Sequence, residues 1–324
     1  MQAISPLLTG HGGRIDDAAA LYPDAPRPWL DLSTGINPRP WRPAAPIEVD
    51  PCPLPSRADL RALEAAAARH FGVAPARLMA VPGSEIALRL VATMGVPGPI
   101  ASVLPGYGTY ADIADILLND IGTFSGRGTL LAANPNNPDG RLLPPDLLMS
   151  FVPGILSHLV IDEAFADAGH SLLPAIDPEA PVIVLRSFGK YFGLAGIRLG
   201  FVIAPPPILV RLRALLGDWP VSAHAIAYGR AAYADSAWIA PTRADLAIRS
   251  AALDVLLARH RLTATGACPL FRLIDTPDAA LLFDRLAHAG ILVRPFADRP
   301  TWLRFGLPAD DAAFARLDRA LADG

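Results

Sequence analysis

The chain has 324 residues, a formal net charge of −3, 52% hydrophobic residues and 18% charged residues. That length suits one large domain with a smaller one appended, and it is enough to bury a sizeable core. The near-balanced charge gives no footprint for nucleic acid or an anionic membrane, and no apolar run approaches the ~18 residues of a membrane span. Met1 to Pro6 lacks a basic stretch followed by an apolar one, so no secretory signal is expected. Cys52 and Cys268 lie far apart without metal-like spacing, so no metal is expected and the protein reads as reduced and cytoplasmic.

Residues 1–56 read as an N-terminal arm. They are rich in Pro and Gly, with little periodicity and one short apolar run at Trp29–Leu32. Two pieces stand out, His11-Gly12-Gly13 and Ser33-Thr34-Gly35-Ile36-Asn37-Pro38. Glycine allows close backbone approach to a ligand, and exposed His, Thr and Asn donate hydrogen bonds. An ordinary loop has the same composition.

Regular structure is expected from Ser56. Ser56 with Asp59 reads as a variant capping box, Leu60, Leu63, Ala67 and Phe71 recur at helical spacing, and Gly72 ends the helix. A strand at Leu78–Val81 meets Pro82-Gly83-Ser84-Glu85 and a helix expected to run through Met94. Free N–H groups at such a helix start point at an anion. The strand Ile100–Leu104 leads into Pro105-Gly106-Tyr107-Gly108-Thr109-Tyr110, and a strand–helix–strand passage follows through Thr129–Ala133. Asn134-Pro135-Asn136-Asn137-Pro138-Asp139-Gly140 is a turn by composition. The run His158 to Phe165 is a buried strand ending in acid, and a carboxylate there is costly unless a cation meets it. Strand Val182–Arg186 delivers Lys190, and strand Leu199–Ala204 leaves it. Strands alternating with helices from Leu78 to Ala204 predict a mostly parallel sheet with ligand at the strands' carboxyl ends.

Beyond that sheet, helices are expected from Pro205 through Leu216, then over Ala223–Ala234 and Pro241–His260. Strands near Cys268–Ile274, Ile291–Pro295 and Trp302–Phe305 alternate with helices near Asp278–Ala289 and Asp310–Ala322. Lys190 is the only lysine, the rest of the 28 basic residues being arginine. Arginine does not lose its proton in a protein and cannot serve as a nucleophilic amine, whereas lysine can. Ser187 precedes Lys190 by three residues and Arg198 follows it by eight, with Gly189, Gly193 and Gly196 between. A hydroxyl and a guanidinium around a reactive amine are what a phosphorylated aldehyde cofactor requires.

The Ser187-x-x-Lys190 run with Arg198, followed through the pattern from Gly83 to Arg304, resembles the fold-type-I pyridoxal-phosphate enzymes of the class I/II aminotransferase family. The resemblance covers nearly the whole chain. It implies an α/β fold-type-I PLP-dependent transferase in three parts. These are an arm at 1–56 packing with the small domain and the active site, a large cofactor-binding domain at 57–220 with a mostly parallel central sheet, and a small C-terminal α/β domain at 221–324. The family implies a homodimer and pyridoxal 5′-phosphate as cofactor, joined to the Lys190 amine. Gly83, Ser84, Glu85, Ser187 and Arg198 then serve the cofactor phosphate. Tyr107 stacks on the ring, Asn137 meets the phenolic oxygen and Asp162 meets the ring nitrogen. Lys190, Asp162 and Tyr107 are the catalytic candidates.

On the substrate side, Leu303-Arg304-Phe305-Gly306 resembles the segment whose arginine grips the substrate carboxylate, and Arg294 is a second inward candidate. His11, Gly12, Ile36, Asn37 and Asn137 complete the expected substrate-binding set. These features resemble the branch that contains histidinol-phosphate aminotransferase and threonine-phosphate decarboxylase, both of which bind phosphorylated substrates. The arm looks most like the cobalamin-pathway decarboxylase. That implies a phosphorylated amino-acid substrate and loss of its carboxylate, with transamination of histidinol phosphate as the alternative and no nucleic-acid or membrane partner. A non-catalytic cofactor-binding sensor is a third reading, disfavoured by the completeness of the set. The chain departs from the family at two places. Phe165 stands where many members carry a Tyr whose hydroxyl reaches the phenolic oxygen. Cys52 lies near where a Tyr often reaches the neighbouring subunit's cofactor phosphate.

Overall fold

Ser56 opens the first long helix as its chemistry dictates. In the computed structural model, which describes residues 4–124, 127–152 and 157–322, its hydroxyl accepts the Asp59 N–H at 3.0 Å and the helix runs Arg57–Phe71. The chain divides into two units. A sheet unit comprises Pro40–Asn137 and Arg141–Pro241, and an arm unit comprises the described residues of Met1–Arg39, Pro138–Gly140 and Thr242–Gly324.

The sheet unit is built on seven strands. Across the sheet they run Leu78–Val81, Gly200–Ile203, Val182–Ser187, His158–Asp162, Thr129–Ala133, Ile100–Val103 and Ile116–Leu118. Only Gly200–Ile203 runs against its neighbours, so the other six all point their carboxyl ends to one edge. The inner strands are buried except at His158 and Ser187, as a sheet covered on both faces requires. On one face Met79, Val81, Leu131, Val160, Ile183 and Val202 pack with Leu88, Val91, Tyr110 and Leu212. The other face carries an aromatic cluster in which Phe71, Phe201, Phe188 and Phe192 meet the ring of Tyr233.

Two helices depart from expectation for local reasons. The helix after Gly83 covers Ser84–Arg89, and Val91–Thr93 tightens into a 3₁₀ turn before Met94. The Thr93 hydroxyl donates to the Leu90 carbonyl at 2.8 Å, and such a side-chain bond competes with helix continuation. The helix expected at Pro241 begins at Ser236 and runs to Arg259 with Pro241 inside it. Asp235 accepts the Trp238 N–H through its side chain at 3.1 Å, so the acid starts the helix ahead of the proline.

In the arm unit, Phe271–Asp275 pairs antiparallel with Trp302–Gly306 and with Ala264–Thr265. The stretch Ile291–Pro295 breaks at Val293. Ile291–Leu292 lies parallel to Leu30–Asp31, whereas Arg294–Pro295 pairs antiparallel with Trp302–Gly306. Helices Ala279–His288 and Asp311–Ala322 accompany these strands. The N-terminal segment forms short helices at Pro6–Thr9 and Ile15–Leu21, too brief to show a helical period in sequence.

Candidate active site

The strands ending at Val81, Val103, Ala133, Asp162 and Ser187 feed one cleft of about 220 Å³ in the sheet unit. Gly83, Ser84, Glu85, Tyr107, Asn137, Asp162, Ser187, Lys190 and Arg198 all line it. Lys190 sits on the short helix Phe188–Tyr191, with its Nζ 5.7 Å from the centroid of the Phe165 ring. Phe165 thus offers the amine a π face where a tyrosine would offer a hydroxyl.

Asp162 is the buried acid of the cleft. Its Oδ2 accepts the Tyr110 hydroxyl at 2.8 Å and its Oδ1 accepts the Ala164 N–H at 2.9 Å. Burial pushes its carboxyl above the usual range, while those two bonds and the Lys190 charge act the other way. Burial and the neighbouring Asp162 hold the Tyr110 phenol well above its ordinary range, so Tyr110 stays a donor. Tyr107 packs edge-on against Tyr110 with centroids 5.9 Å apart. Burial, and then Glu85, push its phenol up as well.

The anion-binding side comes from two segments. Gly83 has a φ of 90°, and a Cβ there would stand 2.8 Å from Arg198 Nη2, so glycine lets the guanidinium lie against the turn. Arg198 takes the left-handed region at φ 54°, uncommon for a residue with a side chain, and its Nη1 donates to the Ala195 carbonyl at 3.2 Å. Ser84, Ser187 and this guanidinium, with the first N–H groups of Ser84–Arg89, have the chemistry of a cup for a dianion. The Glu85 carboxylate is matched by a cation: its Oε1 accepts from Arg89 Nε at 2.7 Å and from the Thr109 hydroxyl at 2.8 Å.

The remaining candidates fall in the arm unit. The break at Val293 sets Arg294 directly across from Arg304 in the strand pair. Arg304 is 6% exposed, and its Nη2 donates to the Ser33 carbonyl at 2.8 Å. Arg294 donates to the carbonyls of Leu8 and Gly10 at 3.3 and 2.5 Å. Gly12 lies against Ser33, and His11 beside it is exposed. Asn37 is buried, with its Oδ1 accepting the Arg39 N–H at 2.9 Å, and Ile36 is half-buried. Asn137 belongs to the sheet-unit cleft and not to this group.

A model of the aminotransferase class I and II family matches residues 112–320. The chain belongs to the aminotransferase class I and II family. It is similar to the threonine-phosphate decarboxylase of a Sinorhizobium species, at 38% identity over 96% of this chain and 97% of that protein. It is likewise similar to the threonine-phosphate decarboxylase of Pseudomonas aeruginosa, at 39% identity over 96% of each. Among solved structures it resembles L-threonine-O-3-phosphate decarboxylase from Porphyromonas gingivalis, with a TM-score of 0.69, 19% identity, and coverage of 99% of this chain and 98% of that one. That last likeness speaks to the fold, which is the fold-type-I α/β fold with its mostly parallel central sheet.

In and behind this aminotransferase-family cleft, three residues have roles not legible in the sequence: Tyr110 lines it, and Asn134 and Asn136 stand behind it. Tyr110 bonds Asp162, and its signal was only an aromatic three residues after Tyr107. Asn134 and Asn136 fix the turn that presents Asn137. Asn134 Oδ1 accepts the Leu143 N–H at 2.8 Å, and Asn136 Nδ2 donates to the Pro105 carbonyl at 2.8 Å. Asx residues flanking prolines were the signal available. The donor set also fits pyridoxal phosphate. It has one amine, a buried carboxylate whose ionised form gains from a second cation, an amide, an aromatic face and a cup for a dianion, all along one cleft.

Proposed function

We propose that this chain is a pyridoxal-phosphate-dependent carbon–carbon lyase. It decarboxylates L-threonine O-3-phosphate to (R)-1-amino-2-propanol O-2-phosphate, a step of cobalamin biosynthesis. The near-full-length identity to two threonine-phosphate decarboxylases carries this reading. The Lys190 cleft supports the chemistry.

When bound, pyridoxal phosphate supplies an electron sink beside the substrate's α-carbon. The protein's own contribution is to hold and orient. Lys190 provides the amine for the cofactor's aldehyde. Gly83, Ser84, Ser187 and Arg198 hold the phosphate, Asn137 the phenolic oxygen and Tyr107 the ring face. Asp162, kept in place by Tyr110 and the Ala164 N–H, holds the ring nitrogen in its protonated form. Arg304 offers a planar fork for the substrate carboxylate, and His11, Asn37 and Arg294 are assigned to its phosphate. Two anchored anions fix the rotation about the α-carbon, and that rotation selects the bond to be cleaved. Free threonine is then a poor substrate, because it leaves buried donors unpaired.

The same reading makes the protein a cytoplasmic homodimer, as the family resemblance implies. Among the described residues no helix is long and apolar enough to cross a membrane. The competing reading is transamination of histidinol phosphate. The test compares kcat/KM for threonine phosphate alone with that for histidinol phosphate plus 2-oxoglutarate. The higher value is expected for threonine phosphate, and glutamate formed from histidinol phosphate at a higher kcat/KM would reverse the assignment.

A further inference from the structure

Ser33 is 1% exposed and ties together three segments of the arm unit. Its N–H and its hydroxyl both donate to Asp31 Oδ1, at 2.8 and 2.6 Å. With its own proton committed to that carboxylate, the hydroxyl oxygen acts as an acceptor toward its remaining neighbour. That neighbour is the Gly13 N–H, which donates to it at 2.7 Å. The Ser33 carbonyl accepts from Arg304 Nη2 at 2.8 Å. Gly12 lies so near that a Cβ there would stand 2.4 Å from the Ser33 carbonyl oxygen and 3.0 Å from its hydroxyl oxygen. The hydroxyl therefore fixes the His11-Gly12-Gly13 segment, and the carbonyl of the same residue fixes the Arg304 guanidinium.

We propose that Ser33 is a positioning residue that sets the spacing between the His-Gly-Gly segment and Arg304. It thereby determines how strongly the phosphate of the substrate contributes to recognition. The inference rests on the threonine-phosphate reading above. A doubly anionic substrate has a limited span between its charges. Two anchors held on one rigid residue meet that span without a large ordering cost, whereas anchors on independently mobile segments do not. Asp31 supports the arrangement, because its carboxylate fixes the direction of the Ser33 proton and leaves the lone pairs for Gly13.

Ser33→Ala separates the two functions of the residue, since it deletes the bond to Gly13 and keeps the carbonyl that holds Arg304. Gly12→Ala presses a methyl against the Ser33 carbonyl and hydroxyl and so displaces the same segment. Each holoenzyme variant and the double variant would be assayed with threonine phosphate and with free threonine, with inorganic phosphate as inhibitor and with a thermal melt. In Ser33→Ala, KM for threonine phosphate and the inhibition constant for phosphate are each expected to rise about tenfold. The kcat should stay within about twofold, and kcat/KM for free threonine should be little changed. Gly12→Ala should move discrimination the same way, and the double variant should lose less than the sum of the two.

A purely structural role would lower the melting temperature, or reduce kcat/KM for both substrates by the same factor, and either result without lost discrimination overturns the proposal. Should Ser33→Ala not yield folded protein, Ser33→Cys, which keeps the backbone carbonyl and replaces the hydroxyl by a weaker acceptor, gives the same comparison. No turnover of threonine phosphate by the wild-type holoenzyme would overturn the function and this inference together. Wild-type turnover with unchanged discrimination in the variants would overturn the inference alone.

Discussion

Asp162 carries two opposed demands, and they can be measured separately. Burial raises its carboxyl pKa in the folded protein. A folded pKa above the unfolded one favours folding at low pH, and that contribution is lost as pH rises through the folded value. The cofactor-free protein should therefore lose stability as pH rises above the ordinary carboxylate range, and Asp162→Asn should flatten that loss. With cofactor bound, the same substitution should cost on the order of 10²–10³-fold in kcat. Thermal melts of the cofactor-free pair and kinetics of the loaded pair test both halves. A near-wild-type rate in the variant would mean another residue serves the ring nitrogen. Asp162 and Lys190 were legible in the sequence because each is chemically conspicuous, an acid ending an apolar run and the one lysine of the chain. Tyr110 was not, because an aromatic at a strand–helix junction reads equally well as core, and it is core: it is 1% exposed and also bonds Asp162.

At the scale of elements, the turn Asn134 to Gly140 shows how a loop is made rigid enough to present a polar group. Asn134 is 2% exposed and satisfies the Leu143 N–H. Asn134→Ala leaves that buried donor unmatched, at an expected cost of about 1–3 kcal/mol in urea unfolding. It should also lower kcat/KM through the displaced Asn137. An unfolding midpoint equal to wild type would show that the turn is held by other bonds. The strand Leu78–Val81, the helix Ala223–Ala234 and the Ser56 cap were legible in the sequence, since each depends on local pattern alone. The misplaced boundaries arose where a local signal yielded to another. At Pro241 the Asp235 cap prevailed over the proline. At Val293 one apparent strand divides between two sheets, because its ends find different partners.

For the molecule as a whole, stability and chemistry use opposite faces of the same strands. Asp162 faces the cleft, and its neighbour Glu163 is bonded to Arg186 in a buried cluster that also holds Asp167. His70 Nε2 lies 3.8 Å from Asp167 Oδ1. The Arg186 guanidinium is 2% exposed, and it holds the Asp167 carboxyl below the usual range against the opposing effect of burial. Arg186→Met should leave two carboxylates buried without their cation and cost about 3–5 kcal/mol by denaturant unfolding. A loss below about 1 kcal/mol would mean that water or His70 replaces the arginine. This cluster was silent in the sequence, because its members are separated along the chain and meet only once the sheet forms. The central claim, that the cleft breaks the bond to the carboxylate, is tested most directly with carboxyl-labelled threonine phosphate and the loaded enzyme, without 2-oxoglutarate. Label released as carbon dioxide in equimolar amount with aminopropanol phosphate is the predicted result, and label retained in a keto acid or in unreacted substrate would contradict it.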